Sequence, residues 1–278
     1  MRLLVASDAD EASQGQRRAL LDLASWSEDE PFEGRATWSR GDMRLVTVVQ
    51  PHLYRDDLDR AVSEHFGTEP SLVVYLSKHR AESATPSLTV HPIGNLGAAD
   101  YGGRAKTLVP ASARWMTAAL RGLRREATGL SYAVTFEATH HGPFLGAPTF
   151  YIEQGSTERE WSDVEASRAI ARTLLRLEPI DAPIAVGLGG GHYVPRHTDL
   201  GIERSIAFGH LLPSYALRGL DDALLEEAIA KSRATLAYLH RKSVTRPEAR
   251  SWEERLGALG VRVVREADLE SVGPTKGS

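Results

Sequence analysis

Short apolar runs alternate with amphipathic segments along the chain. The runs are rich in Val, Ile, Leu and aromatic residues, which favours buried β-strands, at residues 2–6, 45–49, 72–76, 88–91, 132–137, 149–153, 184–187, 206–208 and 261–264. The segments between them have a helical period and predict helices at residues 11–24, 56–66, 110–127, 162–177 and 220–238. This alternation predicts an α/β fold in which helices flank a mixed sheet.

The length of the chain and the lack of a clear linker predict one domain. The chain has 278 residues, which is enough to bury a large hydrophobic core without disulfides. Residues 25–34 are acidic and contain Pro and Gly, and residues 271–278 form a polar tail, so we expect both segments to be exposed and the tail to be disordered. Neither segment divides the chain, and we expect a single domain over residues 1–278.

Composition narrows the chemistry that the protein can perform. There are no cysteines, which excludes thiolate nucleophiles, iron-sulfur clusters and cysteine-ligated zinc, so any metal must be held by His, Asp or Glu. The net charge is -4, so binding of nucleic acid requires a local basic face. Two groups of cations are candidates for such a face: Arg114, Arg121, Arg124 and Arg125 on one helix, and Lys231, Arg233, Arg241, Lys242 and Arg246.

The sequence also predicts a location. The apolar run at the N-terminus is too short for the core of a signal peptide, and no run is long enough to span a membrane. We therefore expect a cytoplasmic protein that has no membrane partner. Nothing in the sequence predicts an obligate protein partner.

The histidines gather just beyond the ends of predicted strands. His79 follows the strand at 72–76, and the other cases are His140 and His141 after 132–137, His192 after 184–187 and His210 after 206–208. Open α/β sheets bind ligands outside the carboxyl ends of their strands. This placement therefore predicts a functional site built from several loops.

The first motif pairs His79 with Glu82 in a loop after an apolar strand. An imidazole and a carboxylate at this spacing can bind one zinc ion if the backbone curls by one turn, with a third ligand from another strand. A basic loop around His79 that binds phosphate is the alternative, and both interpretations stay open.

The second motif is Glu137-Ala-Thr-His140-His141, where an apolar strand ends in ionisable side chains. Such groups are costly to bury unless something binds them, although a solvent-facing loop would also explain them. His91 and Glu153 also stand at the ends of predicted strands and are weaker candidates for the site. Each is equally compatible with a strand that simply ends in a turn.

The third motif places Gly189, Gly190 and Gly191 directly before His192. Their backbone amides can approach an anion or a developing oxyanion closely. The spacing matches neither a dinucleotide fingerprint nor a P-loop, and there is no G-x-S-x-G elbow of a serine hydrolase. A glycine-rich turn beside a buried histidine is the structural alternative.

Taken in order, five segments resemble the D-aminoacyl-tRNA deacylase family of the archaeal and plant type. They are VVYLSKHRAES (73–83), LTVHPIGN (88–95), TFEATHHGP (135–143), VGLGGGHYVPR (186–196) and FGHLLPSYAL (208–217). The resemblance covers essentially the whole chain. It implies hydrolysis of the ester between a D-amino acid and the terminal ribose of tRNA, a quality-control reaction of translation, with zinc as cofactor. It also implies a phosphorylase/hydrolase-like α/β sheet.

Individual roles follow from position and not from the resemblance. We expect zinc to be held by His79 and Glu82 together with His140, His141 or both, and His192 is a further potential ligand. We expect catalytic roles, as general base or orienting group, for Glu137, His192 and His210. The amides of Gly189, Gly190 and Gly191 are expected to stabilise the oxyanion.

Two other classes of function fit the same residues. A nucleoside phosphorylase or a metallopeptidase-like hydrolase on a related fold would also place histidines and a glycine-rich turn at strand ends. A non-catalytic RNA-binding module would use the histidines only to organise loops, and would bind tRNA in a salt-dependent way without turnover.

Overall fold

The structure, a computed structural model, describes residues 1–273. Within this range the strands are β1 (Arg2–Ser7), β2 (Ser27–Phe32), β3 (Arg35–Arg40), β4 (Met43–Val48), β5 (Leu72–Lys78), β6 (Ser87–His91), β7 (Gly94–Asn95), β8 (Thr107–Leu108), β9 (Ala133–Phe136), β10 (Thr149–Gly155), β11 (Ile184–Leu188), β12 (Ala207–Leu212), β13 (Leu236–Leu239) and β14 (Arg262–Val264). The helices are α1 (Glu11–Leu23), α2 (Leu58–Phe66), α3 (Ala113–Glu126), α4 (Glu158–Trp161), α5 (Val164–Leu175), α6 (Pro195–Glu203), α7 (Ser214–Leu217), α8 (Asp222–Ser232) and α9 (Arg246–Ala258).

The larger sheet is mixed, as the sequence predicts. Its strand order is β2-β3-β4-β1-β5-β10-β6-β9. Strands β4, β1, β5 and β10 are parallel, β2 and β3 form an antiparallel extension, and β6 runs antiparallel to β10 with β9 parallel to β6. The strand order brings β5, β10, β6 and β9 side by side, with β6 and β9 running opposite to β5 and β10.

A second, fully parallel sheet has the order β12-β11-β13-β14. The two sheets share one hydrophobic core, in which Phe136 of β9 packs edge-on against Phe208 of β12. The backbone also joins them, because Thr139 N–H donates to the Leu211 carbonyl at 2.8 Å. These features confirm the α/β class and a single domain in which helices flank a mixed sheet.

The faces of the large sheet have different partners, because successive side chains on a strand point to opposite sides. Leu4 of β1 belongs to the core that contains α1, α3 and α5, whereas Val5 belongs to the core that contains α2. Tyr75 and Tyr151 stack on this second face with ring centroids 4.6 Å apart. The polar site described below extends this second face.

The predicted helix at 220–238 is wrong in its second half. Helix α8 ends at Ser232, Arg233 has a positive φ of 55°, and the chain continues into β13, which pairs with β11. The segment Leu236–Leu239 is buried between two neighbouring strands. Tertiary burial of this apolar run therefore outweighs its helical period.

Other differences concern the edges of the fold. Residues 25–34 contain the mostly exposed edge strand β2, whose acidic side chains suit an unpaired sheet edge. Ser271 forms an isolated bridge with Arg204, whereas residues 274–278 of the predicted tail lie outside the described residues. Among residues 1–273, no helix is long and apolar enough to cross a membrane.

Candidate functional site

Strand register places three polar side chains on one face of the large sheet. His91 of β6 pairs with Tyr151 of β10, which pairs with Tyr75 of β5. Because side chains alternate, Glu153 lies on the same face as Tyr151, and the chain direction carries His79, four residues beyond Tyr75, toward it. His91, Glu153 and His79 are all buried.

Glu137 is the centre of the site. It directly follows β9 and its side chain has no solvent exposure. Its Oε2 accepts a 2.9 Å hydrogen bond from Nε2 of His192 and lies 3.6 Å from Nε2 of His140. Its Oε1 lies 3.1 Å from Nδ1 of His79. One buried carboxylate thus contacts imidazoles from three separate loops.

Glu153 is a second buried carboxylate beside the first. Its Oε2 lies 3.4 Å from Nδ1 of His79, and its Oε1 lies 3.6 Å from Nε2 of His91. His79 therefore bridges Glu153 and Glu137. The hydroxyl of Tyr193 lies 2.9 Å from Nε2 of His79 and fixes the far side of the ring.

These contacts set the charges of the carboxylates. Burial alone would raise the pKa of Glu137, but the hydrogen bond from His192 and the nearby His91 and His79 hold that pKa below its usual range. Burial would likewise raise the pKa of Glu153, yet its contacts with His79 and His91 hold it well below. Both groups are therefore present as carboxylates at neutral pH.

Three neighbouring histidines are oriented in the same way. Nδ1 of His140 donates to the Ala138 carbonyl at 2.8 Å, Nδ1 of His141 donates to the Gly142 carbonyl at 2.6 Å, and His91 donates to the carbonyl of the following proline at 3.2 Å. A ring whose Nδ1 carries the proton presents a free lone pair at Nε2. Metal-binding histidines commonly have this arrangement.

The same three histidines are close enough to share an ion. One potential ligand atom from each of His91, His140 and His141 lies within 4.8 Å of the others. Burial, followed by the nearby His91, lowers the pKa of His141 to about 3, and burial lowers the pKa of His140 well below its usual value. Both rings are thus neutral, as metal ligands must be.

Two further groups among the described residues meet the same distance criterion. They are Glu137, His140 and His192, and His79, Glu137 and Glu153. Nε2 of His91 and Oε1 of Glu137 are buried without a hydrogen-bond partner among the described residues. Buried polar atoms without hydrogen-bond partners suit a site that binds a cation, and the His and Glu side chains here are able to hold one.

Close backbone packing holds the site together at Gly155. A Cβ atom added to Gly155, at the end of β10, would lie 2.3 Å from the carbonyl oxygen of His79. That carbonyl also accepts a 2.8 Å hydrogen bond from Nε1 of Trp161. Only glycine allows β10 to approach the loop of His79 this closely.

The structure does not bring Glu82 to the site. Glu82 is exposed in the loop that follows β5, and it belongs to none of the potential metal-binding groups within residues 1–273. Its partner in the sequence motif, His79, instead contacts Glu137 and Glu153. The loop does not curl back by the turn that the spacing requires.

His210 lies inside β12 and not beyond its end. Its Nε2 donates to the Val109 carbonyl at 3.0 Å, and its Nδ1 accepts from the Thr139 hydroxyl at 3.1 Å. Burial lowers the pKa of His210 to about 3. Both ring nitrogens are thus occupied, and His210 supports the loop after β9 through Thr139.

The glycine-rich loop has less free backbone than its sequence indicates. Gly189 N–H donates to the Leu212 carbonyl, and Gly190 N–H donates to Oγ of Ser243, each at 2.8 Å. Gly191 is exposed, and its amide has no acceptor among the described residues. The loop chiefly positions His192, leaving one amide for a ligand.

His91 and Glu153 are the site residues to which sequence reasoning gave too little weight. Each stands at the end of a predicted strand, and this position is visible in the sequence. What was not available was the pairing of β6 with β10, which places the two side chains on one face. The contact between Tyr193 and His79 had no signal in the sequence.

Comparisons with known proteins agree on one family. The family model described as D-aminoacyl-tRNA deacylase matches residues 66–264, which include the carboxylates and imidazoles described above. The D-aminoacyl-tRNA deacylase of Methanosarcina mazei is 40% identical over 275 residues, covering 96% of this chain and 92% of that protein. The protein of the same name from Thermococcus kodakarensis is 35% identical over 273 residues, covering 94% of this chain and 100% of that protein.

A solved structure has the same fold. The crystal structure of a conserved protein of unknown function superimposes with a TM-score of 0.91 at 30% sequence identity. The match covers 98% of this chain and 99% of that one. The similarity therefore includes both sheets and the site between them.

Proposed function

Because this chain belongs to the D-aminoacyl-tRNA deacylase family, and is thus a hydrolase, we propose that it cleaves the ester between a D-amino acid and the terminal ribose of tRNA. The observation that carries the proposal is the ionised, fully buried Glu137, which contacts His79 and His192. Ester hydrolysis needs a base beside the carbonyl and a group that returns a proton to the leaving oxygen. The site offers both.

Glu137 is the group that we assign as the general base. One water proton passes to its carboxylate while the water oxygen adds to the ester carbonyl carbon. When the bond between that carbon and the ribose oxygen breaks, the proton passes to the ribose oxygen through His192, whose side chain is 37% exposed. The products are a free D-amino acid and tRNA with an intact terminal ribose.

We further propose that the enzyme depends on zinc held by His91, His140 and His141. Three imidazoles would form an open catalytic site for zinc once His91, whose pKa the Glu153 carboxylate raises despite burial, has lost its second proton. When bound, the ion supplies Lewis acidity to the ester carbonyl. The Nδ1 hydrogen bonds to backbone carbonyls support this assignment. It retains two of the ligands expected from the sequence and replaces His79 and Glu82 with His91.

The remaining residues position these groups. His79 holds Glu137 and Glu153 together, and Tyr193 holds His79 from the opposite side. The amide of Gly191 is the member of the glycine loop that is available to donate to the oxyanion. The roles expected of the Gly189 and Gly190 amides are thereby restricted to shaping the loop.

The decisive experiment measures deacylation of D-tyrosyl-tRNA and L-tyrosyl-tRNA by the purified protein. It is run on protein as purified, after chelator treatment, and after zinc is added back. We expect D-selective hydrolysis that chelator abolishes and zinc restores. Hydrolysis that chelator leaves unchanged would contradict the zinc assignment, whereas no hydrolysis by folded, zinc-loaded protein would contradict the proposed reaction.

The same preparation distinguishes the other classes of function. Phosphate-dependent release of a nucleobase would indicate a nucleoside phosphorylase, and cleavage of a peptide would indicate a metallopeptidase. Salt-dependent binding of tRNA without turnover would indicate a binding module.

A further inference from the structure

Two of the four cations on helix α3 are occupied by packing within the protein. Arg121 donates to the carbonyl oxygens of Gly201 and Arg204, at 2.8 and 2.7 Å. Arg114 donates to the Ala182 carbonyl and lies 3.4 Å from a carboxylate oxygen of Asp181. Arg125 lies 3.2 Å from a carboxylate oxygen of Glu126, and Arg124 is exposed with no carboxylate oxygen within 4.0 Å of its side-chain nitrogens among the described residues. The first candidate basic face of the sequence thus retains one unpaired cation.

The second group of cations separates into two places. Lys231 pairs with Glu227 on its own helix and donates to the Leu108 carbonyl. Arg233 caps the end of the same helix. Arg241, Lys242 and Arg246 lie beyond the carboxyl end of β13 and at the start of α9, together with cations that the sequence grouping had missed. We call this surface the basic edge, and it consists of Arg196, Arg241, Lys242, Arg246, Arg250 and Arg265.

The basic edge lines two cavities of about 540 and 670 Å³ that share Arg241 and Arg265. Three carboxylates also line them. Glu266 pairs with Arg196, and Glu253 pairs with Arg241. The cavities are therefore bordered by more positive than negative charge, although the whole chain carries a net charge of -4.

The other cations of the basic edge retain their charge for a partner. Lys242, Arg246, Arg250 and Arg265 are exposed, and among the described residues no carboxylate oxygen lies within 4.0 Å of their side-chain nitrogens. Exposed cations of this kind, arranged along one surface, suit a polyanion that contacts several of them in succession.

The basic edge is connected to the catalytic centre by hydrogen bonds. Ser243, next to Lys242, donates its hydroxyl to the His240 carbonyl at 2.7 Å and accepts from Gly190 N–H at 2.8 Å. Two residues after Gly190, His192 contacts Glu137. The glycine loop therefore contacts both the catalytic centre, through His192, and the segment that carries Lys242 of the basic edge.

We propose that the basic edge binds the phosphate backbone of the acceptor end of tRNA. This inference rests on the proposed function, which places the ester of the terminal ribose at Glu137. The nucleotides that precede this ribose carry one phosphate each, and their backbone must leave the site across a neighbouring surface. The cations beyond β13 and β14 supply matching charge there, at the sheet edge where open α/β folds bind ligands.

Charge-reversal variants with equal effects on net charge test the assignment. The test variant is Lys242→Glu combined with Arg250→Glu. The control variant is Arg18→Glu combined with Arg40→Glu, since both of these arginines are exposed and lie outside the basic edge and outside helix α3. Affinity for uncharged tRNA is measured across a series of salt concentrations.

For the test variant we expect an affinity about tenfold lower or more, and a slope of log affinity against log salt that is smaller by about two. The control variant should keep the slope of the unmodified protein. An unchanged affinity and slope in the test variant would overturn the proposal. An equal loss in both variants would also overturn it, because the effect would then come from net charge alone.

A second assay separates this inference from the proposed function. Hydrolysis of D-tyrosyl-tRNA is compared with hydrolysis of the D-tyrosyl ester of adenosine, which has no phosphates. We expect kcat/KM of the test variant to fall about tenfold more on the tRNA ester than on the adenosine ester, through KM. Equal losses on the two esters would contradict the basic edge. If the unmodified protein cleaves neither ester, the proposed function fails, while binding of uncharged tRNA still decides the role of the edge.

Discussion

Glu137 accepts a 2.9 Å hydrogen bond from His192, although 55 positions separate the two residues and they come from different sheets. Glu137 follows the edge strand β9 of the large sheet, and His192 follows β11 of the second sheet. A backbone hydrogen bond also joins the two loops, because Ala138 N–H donates to the His192 carbonyl at 2.7 Å. The site therefore exists only when both sheets are assembled.

Replacing Glu137 tests its role as base. We expect Glu137→Gln to lower kcat for D-aminoacyl-tRNA by about 10²–10⁴-fold, since an amide has the shape of the carboxylate but cannot take the proton. Single-turnover kinetics would measure the loss. Glu82→Gln is the matched control and should leave kcat unchanged, because Glu82 is exposed and away from the site. A Glu137→Gln enzyme within tenfold of normal activity would contradict the assignment.

Removing one imidazole tests the metal assignment. We expect His140→Ala to weaken zinc binding by about tenfold or more, because two imidazoles remain where three are close enough to share an ion. Elemental analysis after dialysis would measure bound zinc, with His65→Ala, on helix α2, as the control that keeps it. Full zinc content in the His140→Ala protein would show that the ion is held elsewhere.

His210 should matter for stability more than for chemistry. His210→Leu leaves the Val109 carbonyl and the Thr139 hydroxyl without their partner, so we expect unfolding free energy to fall by about 1–3 kcal/mol. His210→Asn, whose oxygen can still accept from Thr139, should lose less. Urea denaturation measures both variants. A loss of kcat above a hundredfold in a fully stable His210→Asn protein would instead support the catalytic role expected from the sequence.

Acid should destabilise the fold through buried neutral histidines. Burial lowers the pKa of His197 to about 3, whereas in the unfolded chain an imidazole takes a proton below about pH 6.5. The unfolded state therefore binds more protons between these values, and stability falls as pH falls, by about 1.4 kcal/mol per pH unit for each such histidine. Above this window the contribution is constant.

The variant His197→Leu isolates this effect. Neither ring nitrogen of His197 has a hydrogen-bond partner among the described residues, and the ring packs against Phe208 and Tyr238. We expect urea titrations of metal-free protein between pH 4 and 6 to show a slope shallower by about 1.4 kcal/mol per pH unit than that of the unmodified chain. An identical slope in both proteins would show that His197 takes up its proton in the folded state.

Much of the fold and part of the site are predictable from local pattern. Apolar runs and helical periods identify the α/β class, because each depends only on neighbouring residues. The strand-end positions of His79, Glu137, His140, His141 and His192 are predictable for the same reason, and the structure brings all five together. The failure at β13 shows the limit, since a short apolar run is compatible with either a strand or a helix.

The amino-acid sequence by itself determined the α/β class, most of the buried strands apart from β13, and most of the chemical groups that stand at their ends. Only the tertiary structure decided that His91 and Glu153 join the site and that Glu82 stays outside it. It also decided that both ring nitrogens of His210 are hydrogen-bonded within the core. The physical reason is that strand order and register, together with the number of hydrogen bonds each group has already made, depend on residues far apart in the chain. Local sequence specifies a side chain, whereas its partners are specified by the assembled sheets.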